Sequence, residues 1–143
     1  MVLCRLIYVS EAVAGLAYPD LKDIMEKSEK NNTPIGVSGM LSYRNNKFLQ
    51  VLEGERQAVS GTYEKILKDE RHYKSQLIEF TEIDYRLFTN WSMKVVQMGE
   101  QFPKKVKELS MKYSGYNEFD PRAMTSYQCL EFIKELATLV ASA

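Results

Sequence analysis

The sequence holds a single histidine, His72, and two cysteines, Cys4 and Cys129. One imidazole makes a histidine-based metal centre improbable, and the distant thiols lack metal or redox-motif spacing, so both cysteines read as reduced packing residues. Charge of one sign is also missing. Lys plus Arg and Asp plus Glu each total 19, so no excess of positive charge draws the chain to nucleic acid or an anionic membrane. No apolar run approaches the roughly 18–20 residues that cross a bilayer. The start, Met1-Val2-Leu3-Cys4-Arg5, lacks the basic stretch and long apolar core of a secretory signal. Repeats, low-complexity tracts and Gly/Ser linkers are absent too. These absences point to a cytoplasmic protein that engages neither nucleic acid nor membrane.

What remains is an ordinary globular composition. At 143 residues and 45% hydrophobic, the chain can bury the core of one domain with a short appendage. Alternation predicts a first strand over Leu3–Val9 that puts Leu6 and Tyr8 on one face. Pro19 opens a helix that runs to about Asn31, at a position where its missing N–H costs nothing. Residues 36–44 and 47–54 form two strands around an Asn45-Asn46 turn, because asparagine tolerates the positive φ of tight hairpins. A helix over about 55–70 follows, then strands over 75–82 and 91–97, and helices over 103–113 and 126–140. The order β-α-β-β-α-β-β, then α-α, predicts an α+β, ferredoxin-like sheet with two helices on one face. The last two helices would cover the other face or carry a partner surface. Their apolar positions Leu130, Ile133, Leu136, Ala137 and Val140 recur at helical spacing and suit either role. The expected division is a domain over 1–98 and a helical segment over 99–143.

The informative feature is a set of amides where apolar side chains are expected. In Phe48-Leu49-Gln50-Val51-Leu52, alternation puts Gln50 beside Phe48 and Leu52. A buried amide without partners costs about 1–3 kcal/mol, so something must bond it. The first helix has a stripe of Leu21, Ile24 and Met25 that turns polar at Ser28, Asn31 and Asn32. The second helix offers Val59, Thr62, Tyr63 and Ile66, flanked by Lys65 and Asp69. Each residue taken singly has an ordinary explanation. Tyr8 suits a core tyrosine, Gln50 could satisfy a carbonyl at a sheet edge, and Asn31-Asn32 before Thr33-Pro34 could end the helix. Together they suit a planar ring with apolar faces and an acceptor–donor–acceptor edge, such as a flavin. Ile24 and Ile66 would clamp its faces and carboxamides would read its edge. Other heteroaromatic rings meet the same description.

Six segments resemble one family in order and spacing. They are Arg5-Leu6-Ile7-Tyr8, Asn31-Asn32, Gly36-Val37-Ser38-Gly39-Met40-Leu41, Phe48 through Gly54, Asp69-Glu70-Arg71-His72, and Trp91-Ser92-Met93. They resemble the BLUF family of flavin-binding blue-light sensors, over about residues 1–98, and residues 99–143 resemble the C-terminal cap of its short PixD-type members. The resemblance implies non-covalent FAD, with FMN or riboflavin as substitutes, between the two helices. It implies that Tyr8 gives an electron and then a proton to the photoexcited flavin, and that Gln50 rotates or tautomerises to leave a new hydrogen bond and a red-shifted spectrum. Asn32 would hold the ring edge, with Asn31 nearby. Ser28, Lys65, Asp69, Arg71 and His72 would line the ribityl and phosphate side. Trp91 and Met93 would be the switch-associated pair on the last strand.

Two positions depart from the family pattern. Lys65 stands where arginine is usual, which removes a planar fork. Ile35 stands where close relatives often carry a polar residue, and no role is assigned to it. The reading is of a sensor and not an enzyme, since no Gly-rich phosphate loop or nucleophile elbow is present. An RRM-like RNA-binding module shares the element order, but Lys47–Leu52 has one aromatic and no Gly-Phe-type motif. A small flavin-dependent enzyme is a further alternative. No output domain is expected after residue 143, so the signal would pass through other proteins. PixD-type resemblance implies a homo-oligomer, up to a decamer of stacked pentameric rings, with a response-regulator-like PixE-type partner.

Overall fold

The computed structural model of the chain describes residues 1–89, 94–97, 103–115 and 118–141. Strands β1 (Leu3–Ala12), β2 (Ser38–Arg44), β3 (Lys47–Glu55), β4 (His72–Glu82) and β5 (Lys94–Gln97) form one sheet in the order β4-β1-β3-β2-β5. Neighbours are antiparallel except β2 and β5. Helices α1 (Tyr18–Asn32) and α2 (Arg56–Leu67) make the two crossovers, and α3 (Pro103–Ser114) and α4 (Ser126–Ala141) follow the sheet. This is the ferredoxin-like α+β arrangement that the element order predicts. Three boundaries differ. Strand β1 runs on to Ala12 and does not end at Val9, helix α2 stops at Leu67 and not near 70, and β4 begins at His72 and not at 75. The expected start of the last strand at 91 lies outside the described residues. The early part of β4 is irregular, with Lys74 at φ 52° and a register shift opposite Val9 and Glu11, so alternation fails there.

The period-2 alternation of β1 and β3 divides the sheet between two cores. Leu6, Tyr8, Phe48 and Leu52 point to the side of α1 and α2, where Leu21 and Val59 meet them. Ile7, Val9, Leu49 and Val51 point the other way, against Val106 and Leu109 of α3 and Cys129, Phe132, Ile133 and Leu136 of α4. The C-terminal stripe therefore packs on the sheet, with Leu130 and Ala137 partly buried at its margin. The side chain of Val140 lies outside the described residues. Both cysteines are free and buried, and burial pushes the Cys129 thiol up to about 12. Helices cover both faces of the central strands β1 and β3, and Phe48 is buried against Tyr43 and not displayed for stacking on bases.

The hairpin register comes from its turn. Asn45 and Asn46 have φ of 53° and 61°, the type I′ pattern that closes a two-residue loop. That loop sets Leu41 opposite Gln50, and β3 in turn sets Gln50 opposite Tyr8.

A buried carboxylate anchors the chain between β4 and β5, which lie at opposite edges of the sheet. Glu53 is 0% exposed on β3. It accepts the Leu87 N–H at 2.9 Å, the Phe88 N–H at 2.8 Å and Arg5 Nε at 2.8 Å. Arg86 Nη1 donates to Ser38 Oγ and to the Glu53 carbonyl. Charge-assisted bonds of this kind fix geometry as well as adding energy. Phe88 is thereby seated in the C-terminal core.

Candidate functional site

A cleft of about 180 Å³ opens on the α1/α2 side of the sheet. Its floor is Tyr8 of β1, Leu41 of β2, and Phe48 and Gln50 of β3. One wall is Ile24, Lys27, Ser28, Asn31 and Asn32 of α1, with Ile35 beyond its end. The opposite wall is Thr62, Lys65 and Ile66 of α2, followed by Asp69, Arg71 and His72. Tyr8, Ile24, Ser28, Asn31, Asn32, Phe48, Gln50, Lys65, Ile66, Asp69, Arg71 and His72 were the residues expected from sequence, and the fold brings all of them to this one cleft. Trp91 and Met93 lie outside the described residues.

Tyr8 and Gln50 are 3% and 2% exposed, so each needs a partner. They find each other, as the Tyr8 hydroxyl donates to Gln50 Oε1. Burial raises the Tyr8 phenol well above its usual range, and Tyr63 and Asp69 add to the effect. Tyr8 is therefore a protonated donor at any physiological pH. The Tyr63 ring lies 5.2 Å from it, centroid to centroid, and its hydroxyl is 2.9 Å from Ser75 Oγ.

Asn32 is 4% exposed as a residue, and its carboxamide side chain lines the cleft. The same cleft is lined by Ile24, Leu41, Phe48 and Ile66. A planar ring with apolar faces and a polar edge fits that donor set. The α1 stripe is only partly as expected. Leu21 and Asn32 are buried, Ile24, Met25 and Ser28 are half-buried, and Asn31 is exposed. The stripe faces an open cleft for much of its length and not a closed core.

The polar end of the cleft is already wired. His72 Nε2 donates to the Ile66 carbonyl at 2.6 Å, because a carbonyl can only accept. Its Nδ1 pairs with Ser10 Oγ at 2.8 Å. Arg71 bonds Asp69 through Nη2 at 2.6 Å and Asp23 through Nη1 at 2.8 Å. The Arg71 guanidinium holds the Asp69 carboxyl below its usual range, while Lys27 first and Arg71 second do so for Asp23. Lys27, Ile35, Leu41 and Thr62 line the cleft without having been expected there. Lys27 stands one turn from Ile24 and Asn31, and Leu41 follows from the hairpin register, so both were readable. Thr62 lies on the α2 face already read with Val59 and Ile66, and it bonds its own helix at Ala58, whereas exposed Ile35 sits in a short 3-10 turn, which leaves no pattern to find.

Fold and cleft together define a ferredoxin-like α+β domain with a cleft between its two crossover helices. A sequence model described as "BLUF: Sensors of blue-light using FAD" matches residues 3–94, and the chain belongs to this family. It is similar to photoactivated adenylate cyclase subunit beta of Euglena longa, 27% identical over 131 residues that cover 87% of this chain. The chain spans about 15% of the length of that relative. Among solved structures it is similar to BlsA in its photo-activated state, 33% identical at a TM-score of 0.84, covering 94% of each chain. A bacterial light-regulated adenylyl cyclase is similar at 32% identity and a TM-score of 0.71, over 77% of this chain and 32% of that one. The chain thus covers nearly all of the BlsA chain and only a minor part of the longer cyclases. Among the described residues, no helix is long and apolar enough to cross a membrane, and no group of three His, Cys, Asp or Glu could hold a metal.

Proposed function

We propose that the cleft binds FAD non-covalently by its flavin ring and that Tyr8 and Gln50 are the light switch. The observation that carries this is the buried Tyr8–Gln50 hydrogen bond at the floor of a cleft that the Asn32 carboxamide also lines. Ile24 and Ile66 supply the flanking apolar contacts and Asn32 pairs with the ring edge. When bound, a flavin would supply the blue-light chromophore and, in its excited state, a one-electron acceptor. Tyr8 is the donor, and its phenolic proton leaves along the hydrogen bond to Gln50 Oε1. Burial keeps the phenol protonated at rest, so the proton is lost only after the electron. Gln50 rotates or tautomerises while the proton is displaced. When electron and proton return, Tyr8 is restored and Gln50 is left with different hydrogen bonds. Trp91 and Met93 complete the switch in this reading. The signal then leaves through changed protein–protein contacts, in a homo-oligomer or with a response-regulator-like partner, and not through a catalysed reaction.

The test is an absorbance spectrum of the purified protein before and after blue illumination. A yellow protein with a reversible red shift is expected. Tyr8→Phe and Gln50→Leu should each retain flavin and lose the shift. A normal shift in either variant refutes the assigned roles, and a colourless protein that fails to take up added flavin refutes the cofactor.

A further inference from the structure

We infer that Arg71 is a strap holding α1 against the opposite wall of the cleft, and not a ligand for the anionic tail of the flavin. This rests on the flavin reading of the cleft. The first observation is how lightly α1 is held. Of its 15 residues, only Leu21 and Asn32 are buried, because one of its long sides faces the cleft.

The second observation is the geometry of the guanidinium. Nε and Nη2 fork onto the Asp69 carboxylate at 3.0 and 2.6 Å, and the Arg71 backbone N–H adds a bond at 2.9 Å. Nη1 reaches across to Asp23 Oδ2 on α1 at 2.8 Å. Arginine's planar fork suits such a two-sided bridge. Asp69 follows the end of α2, and His72, next in sequence to Arg71, is bonded to the Ile66 carbonyl of α2. The strap therefore joins α1 to the C-terminal end of α2 across the mouth.

The third observation is charge. Arg71 with Asp23 and Asp69 sums to −1, and Lys27, 3.1 Å from Asp23, brings the cluster to zero. A phosphate arriving here meets no net positive charge. Among the cations lining the cleft, Lys65 has no carboxylate partner among the described residues. Arg71 thus acts by positioning a wall of the site, and its contribution is the same whatever tail the flavin carries.

The test uses the apoprotein of the parent chain, of Asp23→Asn and of Arg71→Gln. Riboflavin, FMN and FAD are titrated by flavin-fluorescence quenching, and amide exchange over residues 18–32 is followed in the same proteins. Asp23 does not line the cleft and is half exposed, so its variant keeps the test valid if Arg71→Gln folds poorly. Because the bridge is partly exposed, each variant should weaken all three flavins by a common factor of about 2–5. Exchange in α1 should quicken by a similar factor, and the double variant should be no worse than Arg71→Gln alone. Losses confined to FMN and FAD, with riboflavin unchanged, would make Arg71 an anion ligand and overturn the inference. Unchanged α1 exchange in both variants would overturn it as well. If the parent binds none of the three flavins, the flavin reading falls instead, and the exchange measurement alone decides whether the strap exists.

Discussion

At the scale of single residues, two buried side chains solve the same problem in different ways. Tyr8 spends its one donor on Gln50 and is kept protonated by its surroundings. Glu53 collects donors from three residues on its two carboxyl oxygens. Glu53→Gln conserves shape but turns one acceptor oxygen into an NH2 group. That group must then face either the Arg5 guanidinium or the Leu87 and Phe88 N–H groups. Leaving such donors unmatched costs about 1–3 kcal/mol. The expected outcome is a lower urea midpoint with an unchanged slope, measured by circular dichroism of the purified protein.

At the scale of elements, α1 and the start of β4 are joined by charges that titrate. Arg71 holds the Asp69 carboxyl below its ordinary value, so the folded chain binds that proton less readily than the unfolded one. The resulting stability is fully present above the ordinary Asp pKa, about 3.9, and is lost as pH falls through the lower folded value. Unfolding midpoints between pH 6 and 3 should fall more steeply for the parent than for Asp69→Asn. Equal slopes would mean that the pair contributes nothing.

The sequence was legible at this scale where periodicity spoke. The alternation of Phe48–Leu52 placed Gln50 correctly, and the Asn45-Asn46 turn implied a register that puts Leu41, Gln50 and Tyr8 in one row. The end of α2 and the start of β4 were not legible, because Lys68 to Lys74 carries charges and turns and presents no apolar face to read. The role of Glu53 was hidden for another reason. Its N–H partners lie more than 30 residues away, on a stretch with no motif of its own.

At the scale of the whole molecule, the sheet serves two layers of helices at once. Leu136 is 0% exposed in the core shared by α4, β1 and β3. Leu136→Ala should cost about 2–5 kcal/mol, as a buried leucine truncation does when its neighbours cannot collapse. Thermal denaturation of the apoprotein would report it, and a loss well under 1 kcal/mol would show that α4 is not seated as described. The same shared sheet has a mechanical consequence. Tyr8 alternates with Ile7 and Val9, and Gln50 with Leu49 and Val51, so the cleft pair and the seats of the C-terminal helices occupy neighbouring positions on the same two strands. Any shift in backbone at residues 8 or 50 is applied to those seats directly. A single layer of backbone separates the chemistry in the cleft from the surface on which α3 and α4 rest.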